Sequence, residues 1–167
     1  MLPLWTPAYV AIGSNLGDPL KNVRDSFAQL AAIRSSRLIA RSRFYLTAPL
    51  GPQDQPHFVN AAAGLLTLLN ASELLSELKR LEQALGRATP IVRWGPRIID
   101  FDLSVFGTEQ LTTDRLTLPH PGVPVRNFVL YPLQDIAPDL EVPGHGRVRE
   151  LVARVSAEGL SVLEPTA

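Results

Sequence analysis

NASELLSELKRLEQALG, residues 70–86, is the stretch whose reading decides the fold. Asn70 with Glu73 three residues on is a capping-box pattern, in which each side chain takes one of the N–H groups that a helix start leaves unpaired. From there Ala71, Leu74, Leu75, Leu78, Leu81 and Leu85 recur at steps of three and four, one apolar stripe on a helix that stops at Gly86. Such a stripe has to be buried against another layer. Glu82 falls inside the stripe and near the helix C-terminus, where the macrodipole disfavours a carboxylate. Either it snorkels at the edge of the stripe or it is a hydrogen-bond acceptor for a ligand.

Working outward, residues 98–106 (IIDFDLSVF) alternate as a strand: Ile99, Phe101, Leu103 and Val105 share one face, and Asp100, Asp102 and Ser104 form a wet, acidic one. Upstream, residues 58–69 fit a buried strand or a buried helix, and we read a strand. Residues 38–45 make another strand, followed by the Pro- and Gly-rich loop from Ala48 to Pro56, unusually long for a structureless connection. Near the start, Tyr9–Ile12 is a short buried strand that enters the turn Gly13-Ser-Asn-Leu-Gly17. A helix follows, with Asp18 as N-cap, Pro19 at its first position, and Leu20, Val23, Phe27, Leu30 and Ala31 at helical spacing. Beyond the acidic strand come a Pro-rich turn around Leu118–Gly122, a short apolar segment from Phe128 to Leu133, and a terminal helix carrying Val148, Leu151, Val152 and Val155. The order strand, helix, strand, strand, helix, strand predicts a ferredoxin-like α+β sandwich, an antiparallel sheet packed under two helices. With 167 residues, no internal repeat and no linker, a single domain over 1–167 is expected.

Formal net charge is zero and 46% of residues are apolar, which disfavours a disordered chain or a nucleic-acid-coating protein. Cysteine is absent, so thiolate metal sites and cysteine nucleophiles are excluded. No apolar run is long enough for a membrane span and the start lacks a basic signal region, so a soluble, cytoplasmic protein is expected. Only Lys21 and Lys79 among the sixteen basic residues are lysines. Arginine suits planar recognition of phosphate, although a high-GC genome produces the same bias.

Asp100 and Asp102, at i and i+2 on a strand, project from one face and suit a hard cation such as Mg²⁺, which takes one or two carboxylates and completes its shell with water and phosphate oxygens. Arg87, Arg93, Trp94 and Arg97 lie in the loop leading straight to them, and together they favour a polyphosphate site over a salt-bridge network. His120 stands between two prolines with Arg115 and Arg126 nearby, and no second histidine stands at a zinc-ligand spacing. Phe58 and Asn60 share a strand face and offer an aromatic platform beside an amide. The Gly13–Gly17 turn has neither Walker A nor Rossmann spacing.

Five segments in this order, Gly13–Gly17, Pro49–Pro56, Phe58-x-Asn60, Arg93-Trp-Gly-Pro-Arg97 with Asp100-x-Asp102, and Leu118–Pro121 leading to Arg126-x-Phe128, resemble the 6-hydroxymethyl-7,8-dihydropterin pyrophosphokinases over about residues 8–155. The resemblance implies pyrophosphoryl transfer from ATP to the pterin hydroxymethyl group in folate biosynthesis, with two Mg²⁺ held by Asp100 and Asp102. It implies that Arg87 and Arg97 stabilise charge during transfer. ATP contacts would come from Glu82, Arg93, Trp94, Arg97, Leu103, and from Arg115, Thr117, His120 and Arg126. The pterin ring would stack between Phe58 and Phe128 and be hydrogen-bonded by Asn60, with Thr47, Ala48 and Leu50 closing its edge and Trp94 and Asp100 beside it. The chain departs from the family at Thr89 and Pro121, where an arginine and a tyrosine stand in one family form, and at Phe58, often a tyrosine. A monomer without nucleic-acid or membrane partners is expected. Rival readings are an RNA-binding module, which the two aspartates oppose, and a metal-dependent phosphohydrolase, which would not need a heterocycle site.

Overall fold

The computed structural model describes residues 4–48, 56–86 and 98–163. Its elements are β1 (Thr6–Ser14), α1 (Pro19–Ala31), β2 (Ser36–Arg41), β3 (Tyr45–Thr47), β4 (Phe58–Thr67), α2 (Ala71–Ala84) and β5 (Asp100–Phe106), then β6 (Leu111–Thr112), β7 (Thr117–Leu118), α3 (Asn127–Ile136), β8 (Glu141–Val142), β9 (Gly146–Arg147), α4 (Val148–Val152) and β10 (Leu160–Val162). The main sheet runs β10-β3-β4-β1-β5, with β2 also paired to β4. Its pairings are antiparallel.

Both helix starts follow the residue chemistry. Asp18 accepts the Lys21 N–H at 3.2 Å, and the capping box of α2 closes at 2.8 Å (Glu73 N–H to Asn70) and 2.9 Å (Asn70 N–H to Glu73). One face of the sheet meets α1 and α2. There Val10 and Ile12, Ala61 and Leu65, and Phe101 and Leu103 pack against Phe27, Leu30, Leu74 and Leu78. Fully burying a leucine of this kind contributes about 1.5–3 kcal/mol.

The expected strand over 38–45 is two strands. At the break, Ser42 Oγ accepts the Ala62 N–H at 2.7 Å while Ser42 N–H donates to the Ala62 carbonyl at 2.9 Å, so the side chain replaces a ladder partner and lets the chain bend. The strand over 58–69 is confirmed as β4. It lacks alternation because both of its faces are covered.

The sheet is not covered on one face only. The apolar segment 128–133 is the middle of α3, which packs with α4 on the opposite face, where Val105, Leu130, Leu133, Val148 and Leu151 form a second core. Small residues make this possible. Ala11 pairs with Ala62 across β1 and β4, and a Cβ on Gly64 would stand 3.3 Å from Ala40 Cβ. The terminal helix is shorter than expected and stops before Val155.

The alternation predicted for β5 also fails beyond Leu103. Val10 pairs with Leu103 but Tyr9 with Val105, leaving Ser104 as an extra residue, a β-bulge. Val105 therefore turns to the α3 face and Phe106 to the α1–α2 face, and Ser104 is buried, so the wet face is limited to Asp100 and Asp102. Among the described residues no helix is long and apolar enough to cross a membrane.

Candidate functional site

A cleft of about 500 Å³ opens where the end of β1 and the start of β5 meet β3, β4 and the N-terminal turn of α3. Phe58 and Asn60 line it from β4, Thr47 and Ala48 from the end of β3, and Phe128 from α3. Its base is open at Gly13, where an added Cβ would come 3.0 Å from the Asn60 amide nitrogen and 3.6 Å from the Phe58 ring. Asn60 is 8% exposed; its carbonyl accepts the Thr47 hydroxyl and its amide donates to the Ile12 carbonyl at 3.4 Å. A fixed amide beside an aromatic ring can read a flat heterocycle through hydrogen bonds at its edge.

The polar end of this cleft carries Asp100 and Asp102, held by pairing with Gly13 and Ala11 of β1. Burial, and then the neighbouring Asp100 carboxylate, push the Asp102 carboxyl up to about 7. Lys79 and Arg126 act in the opposite sense. Among the described residues no group of three or more His, Cys, Asp or Glu could hold a metal. Two neighbouring carboxylates on one strand face fit a hard cation that keeps water and substrate oxygens in its shell, so the donor set fits Mg²⁺.

His120 borders the acids. Its backbone N–H donates to the carbonyl of the bulge residue Ser104 at 2.9 Å, and its Nδ1 accepts the Gly122 N–H at 2.9 Å. The neutral ring therefore carries its proton on Nε2. Burial, and next the Arg126 charge, lower its pKa, which favours this neutral donor form. Arg126 lies alongside the turn because residue 122 has no side chain: a Cβ there would sit 2.8 Å from Arg126 Cδ.

A second cleft of about 250 Å³ shares Asp102, His120 and Pro121 with the first. Leu103, Arg115 and Thr117 line it together with Lys79. Arg115 is anchored on α2 through the Ser72 and Ser76 hydroxyls.

The structure thus brings Thr47, Ala48, Phe58, Asn60, Asp100 and Phe128 to the larger cleft, with Arg126, and Leu103, Arg115 and Thr117 to the smaller. Asp102 and His120 belong to both. Glu82 lines neither cleft. It is 1% exposed, accepts the Phe101 N–H at 2.7 Å on the outer edge of β5, and pairs with Lys79 at 3.4 Å. Leu50, Arg87, Arg93, Trp94 and Arg97 lie outside the described residues. Sequence reasoning missed Lys79, which reads as an ordinary solvated helix position; its one signal is its place three residues before the buried Glu82. It named Gly13 and Gly122 only as turn residues and missed the room they leave.

Residues 9–138 match the family model described as 7,8-dihydro-6-hydroxymethylpterin-pyrophosphokinase. A 2-amino-4-hydroxy-6-hydroxymethyldihydropteridine pyrophosphokinase of Pseudomonas aeruginosa is 43% identical over 155 residues, covering 93% of this chain and 95% of the relative. The protein of the same name from Haemophilus influenzae is 39% identical, covering 95% and 98%. Among solved structures, wild-type Plasmodium falciparum HPPK-DHPS with SDX-DHP superposes with a TM-score of 0.66 at 13% identity, covering 90% of this chain and 44% of the longer one. That likeness supports the ferredoxin-like α+β fold.

Proposed function

The chain belongs to the 7,8-dihydro-6-hydroxymethylpterin-pyrophosphokinase family and transfers pyrophosphate from ATP to hydroxymethyldihydropterin in folate synthesis, and from that premise we propose that the larger cleft takes the pterin, the smaller takes ATP, and the two substrates meet at Asp102 and His120. The observation that carries this assignment is the shared wall: an aromatic, amide-bearing cleft and one that carries Lys79 and Arg115 beside Asp114 open on either side of the same carboxylate and imidazole.

Phe58 and Phe128 supply stacking surface for the pterin, and Asn60, with its orientation fixed by Thr47 and Ile12, supplies edge recognition. Asp100 and Asp102 are the residues that would hold Mg²⁺. The chemistry a bound Mg²⁺ supplies at such a pair is neutralisation of charge on the phosphate oxygens. His120 Nε2–H and Arg126 donate to phosphate from the wall, and Lys79 and Arg115 extend the basic lining toward the nucleotide. By resemblance, Thr117 joins the ATP site, as do Arg93, Trp94 and Leu103, and Arg87 and Arg97 stabilise charge during transfer; Glu82, outside both clefts, bears on the ATP site through its ion pair with Lys79.

In the proposed reaction the pterin hydroxymethyl oxygen attacks the β-phosphorus in line, the bond to the α-phosphate oxygen breaks, and AMP leaves. In this reading Asp100 accepts the hydroxyl proton, and positioning with electrostatic stabilisation supplies most of the acceleration. We further propose that the chain acts as a single-domain monomer in the cytoplasm.

The purified chain is incubated with ATP, Mg²⁺ and 6-hydroxymethyl-7,8-dihydropterin, and AMP, ADP and phosphate are followed. AMP that forms only with pterin and metal, and falls at least about a hundredfold in Asp102→Ala, supports the site. Full activity in that variant overturns the role of Asp102, and unchanged pterin KM in both Phe58→Ala and Phe128→Ala overturns the cleft assignment.

A further inference from the structure

Asn127 opens α3 immediately before Phe128, and both hydrogens of its amide are used: Nδ2 donates to the Ser156 carbonyl at 2.8 Å and to the Glu158 carbonyl at 3.0 Å. Two carbonyl partners require the amide nitrogen at that position. The segment they hold is locally ordered, with Glu158 N–H bonded to Ser156 Oγ and Leu160 N–H to the Ala157 carbonyl, each at 3.0 Å. It then runs to the other wall of the larger cleft. The Gly159 carbonyl accepts the Ala48 N–H at 3.2 Å, and β10 pairs with β3 so that Leu160 stands opposite Thr47 and Val162 opposite Tyr45. Residues 156–163 thus form a strap from the first turn of α3, which carries Phe128, to the strand end that carries Thr47 and Ala48.

The first turn of α3 needs such support. Pro132 lies inside the helix and has no N–H for the Phe128 carbonyl, so the turn lacks one of its own bonds. At its far end α3 is tied directly to the sheet region, by Tyr45 Oη–H to Asp135 at 2.8 Å and Arg43 to Asp135 at 2.9 Å. At the near end the tie runs through Asn127 and the strap, which lies beyond the residues matched by the family model.

We propose that Asn127 is a positioning residue for the pterin, acting through the 156–163 strap to set the separation between Phe128 and the Thr47–Ala48 edge. The proposal rests on the assignment of the larger cleft to the pterin. Asn127→Leu keeps the side chain's size and adds no charge but removes both donors. The expected result is a pterin KM raised about fivefold, an ATP KM within about twofold of wild type, and faster hydrogen exchange at the Ala48 and Leu160 amides. Asn127→Ala is expected to show the same split.

Faster exchange with an unchanged pterin KM would make the strap a stabiliser only and overturn the proposal. So would equal rises in both KM values, or no change in either readout. Phe58→Ala in the same assay separates the two levels: if it raises the pterin KM while Asn127→Leu does not, the strap proposal fails alone. If neither variant moves it, the pterin assignment has failed and takes the proposal with it.

Discussion

Asp102→Asn is expected to stabilise the ligand-free protein at pH 8 while removing its activity. The Asp102 carboxyl ordinarily titrates at 3.8 and is pushed up to about 7, first by burial and second by Asp100 two residues away. Because the folded value lies above the unfolded one, the unfolded chain gives up this proton first. The cost of ionising the folded site is absent below about pH 4, grows as pH rises, and is complete above about pH 7. A tenfold change in proton affinity is about 1.4 kcal/mol, so the whole rise corresponds to about 4 kcal/mol. Water at the partly exposed carboxylate reduces this to about 2 kcal/mol. Urea unfolding of metal-free wild type and variant, in chelator, at pH 5 and pH 8 measures it. The variant should be the more stable by about 2 kcal/mol at pH 8 and by a smaller margin at pH 5. An equal difference at both pH values, or a wild type more stable at pH 8, would refute the claim that charge repulsion and burial at this site oppose folding.

Glu82→Leu leaves the Phe101 N–H without its acceptor and is expected to cost about 1–3 kcal/mol in a denaturant melt, with Glu82→Gln, which keeps an acceptor oxygen, costing less. Asn70→Ala opens the capping box of α2 and should lower stability by about 1 kcal/mol, read from the same melts, with pterin KM unchanged. Gly13→Ala places a methyl 3.0 Å from the Asn60 amide at the base of the larger cleft. Its pterin KM should rise about tenfold with ATP KM little changed, and a normal pterin KM would show that the base does not touch the substrate.

The elements that stand on local chemistry were legible from residues alone. The Asn70–Glu73 box, the Asp18–Pro19 start and the leucine stripe of α2 are set by neighbours three or four positions apart, and each forms as read. Phe58, Asn60, Asp100 and Asp102 were legible for the same reason, since period-two geometry places i and i+2 on one face. The segments misread depend on distant partners. Ser42 breaks a strand because it finds Ala62, and β5 changes face beyond Leu103 because β1 offers one residue fewer than β5 between the two pairings. The helical state of 127–136 was hidden by Pro132 and by its packing on a face whose small residues give no sign of what covers them.

By itself the sequence determined the order of elements from β1 to β5 apart from the break at Ser42, the helix caps, the acidic pair and the aromatic–amide pair, because these follow from backbone periodicity and from bonds within a few residues. Tertiary structure alone decided that Glu82 is turned to the β5 edge, that Gly13 and Gly122 matter for the space they leave, that Lys79 joins the basic cleft, and that Asn127 binds a segment about thirty residues downstream. These depend on where separate elements come to rest against one another, and no local spacing in the chain encodes that distance.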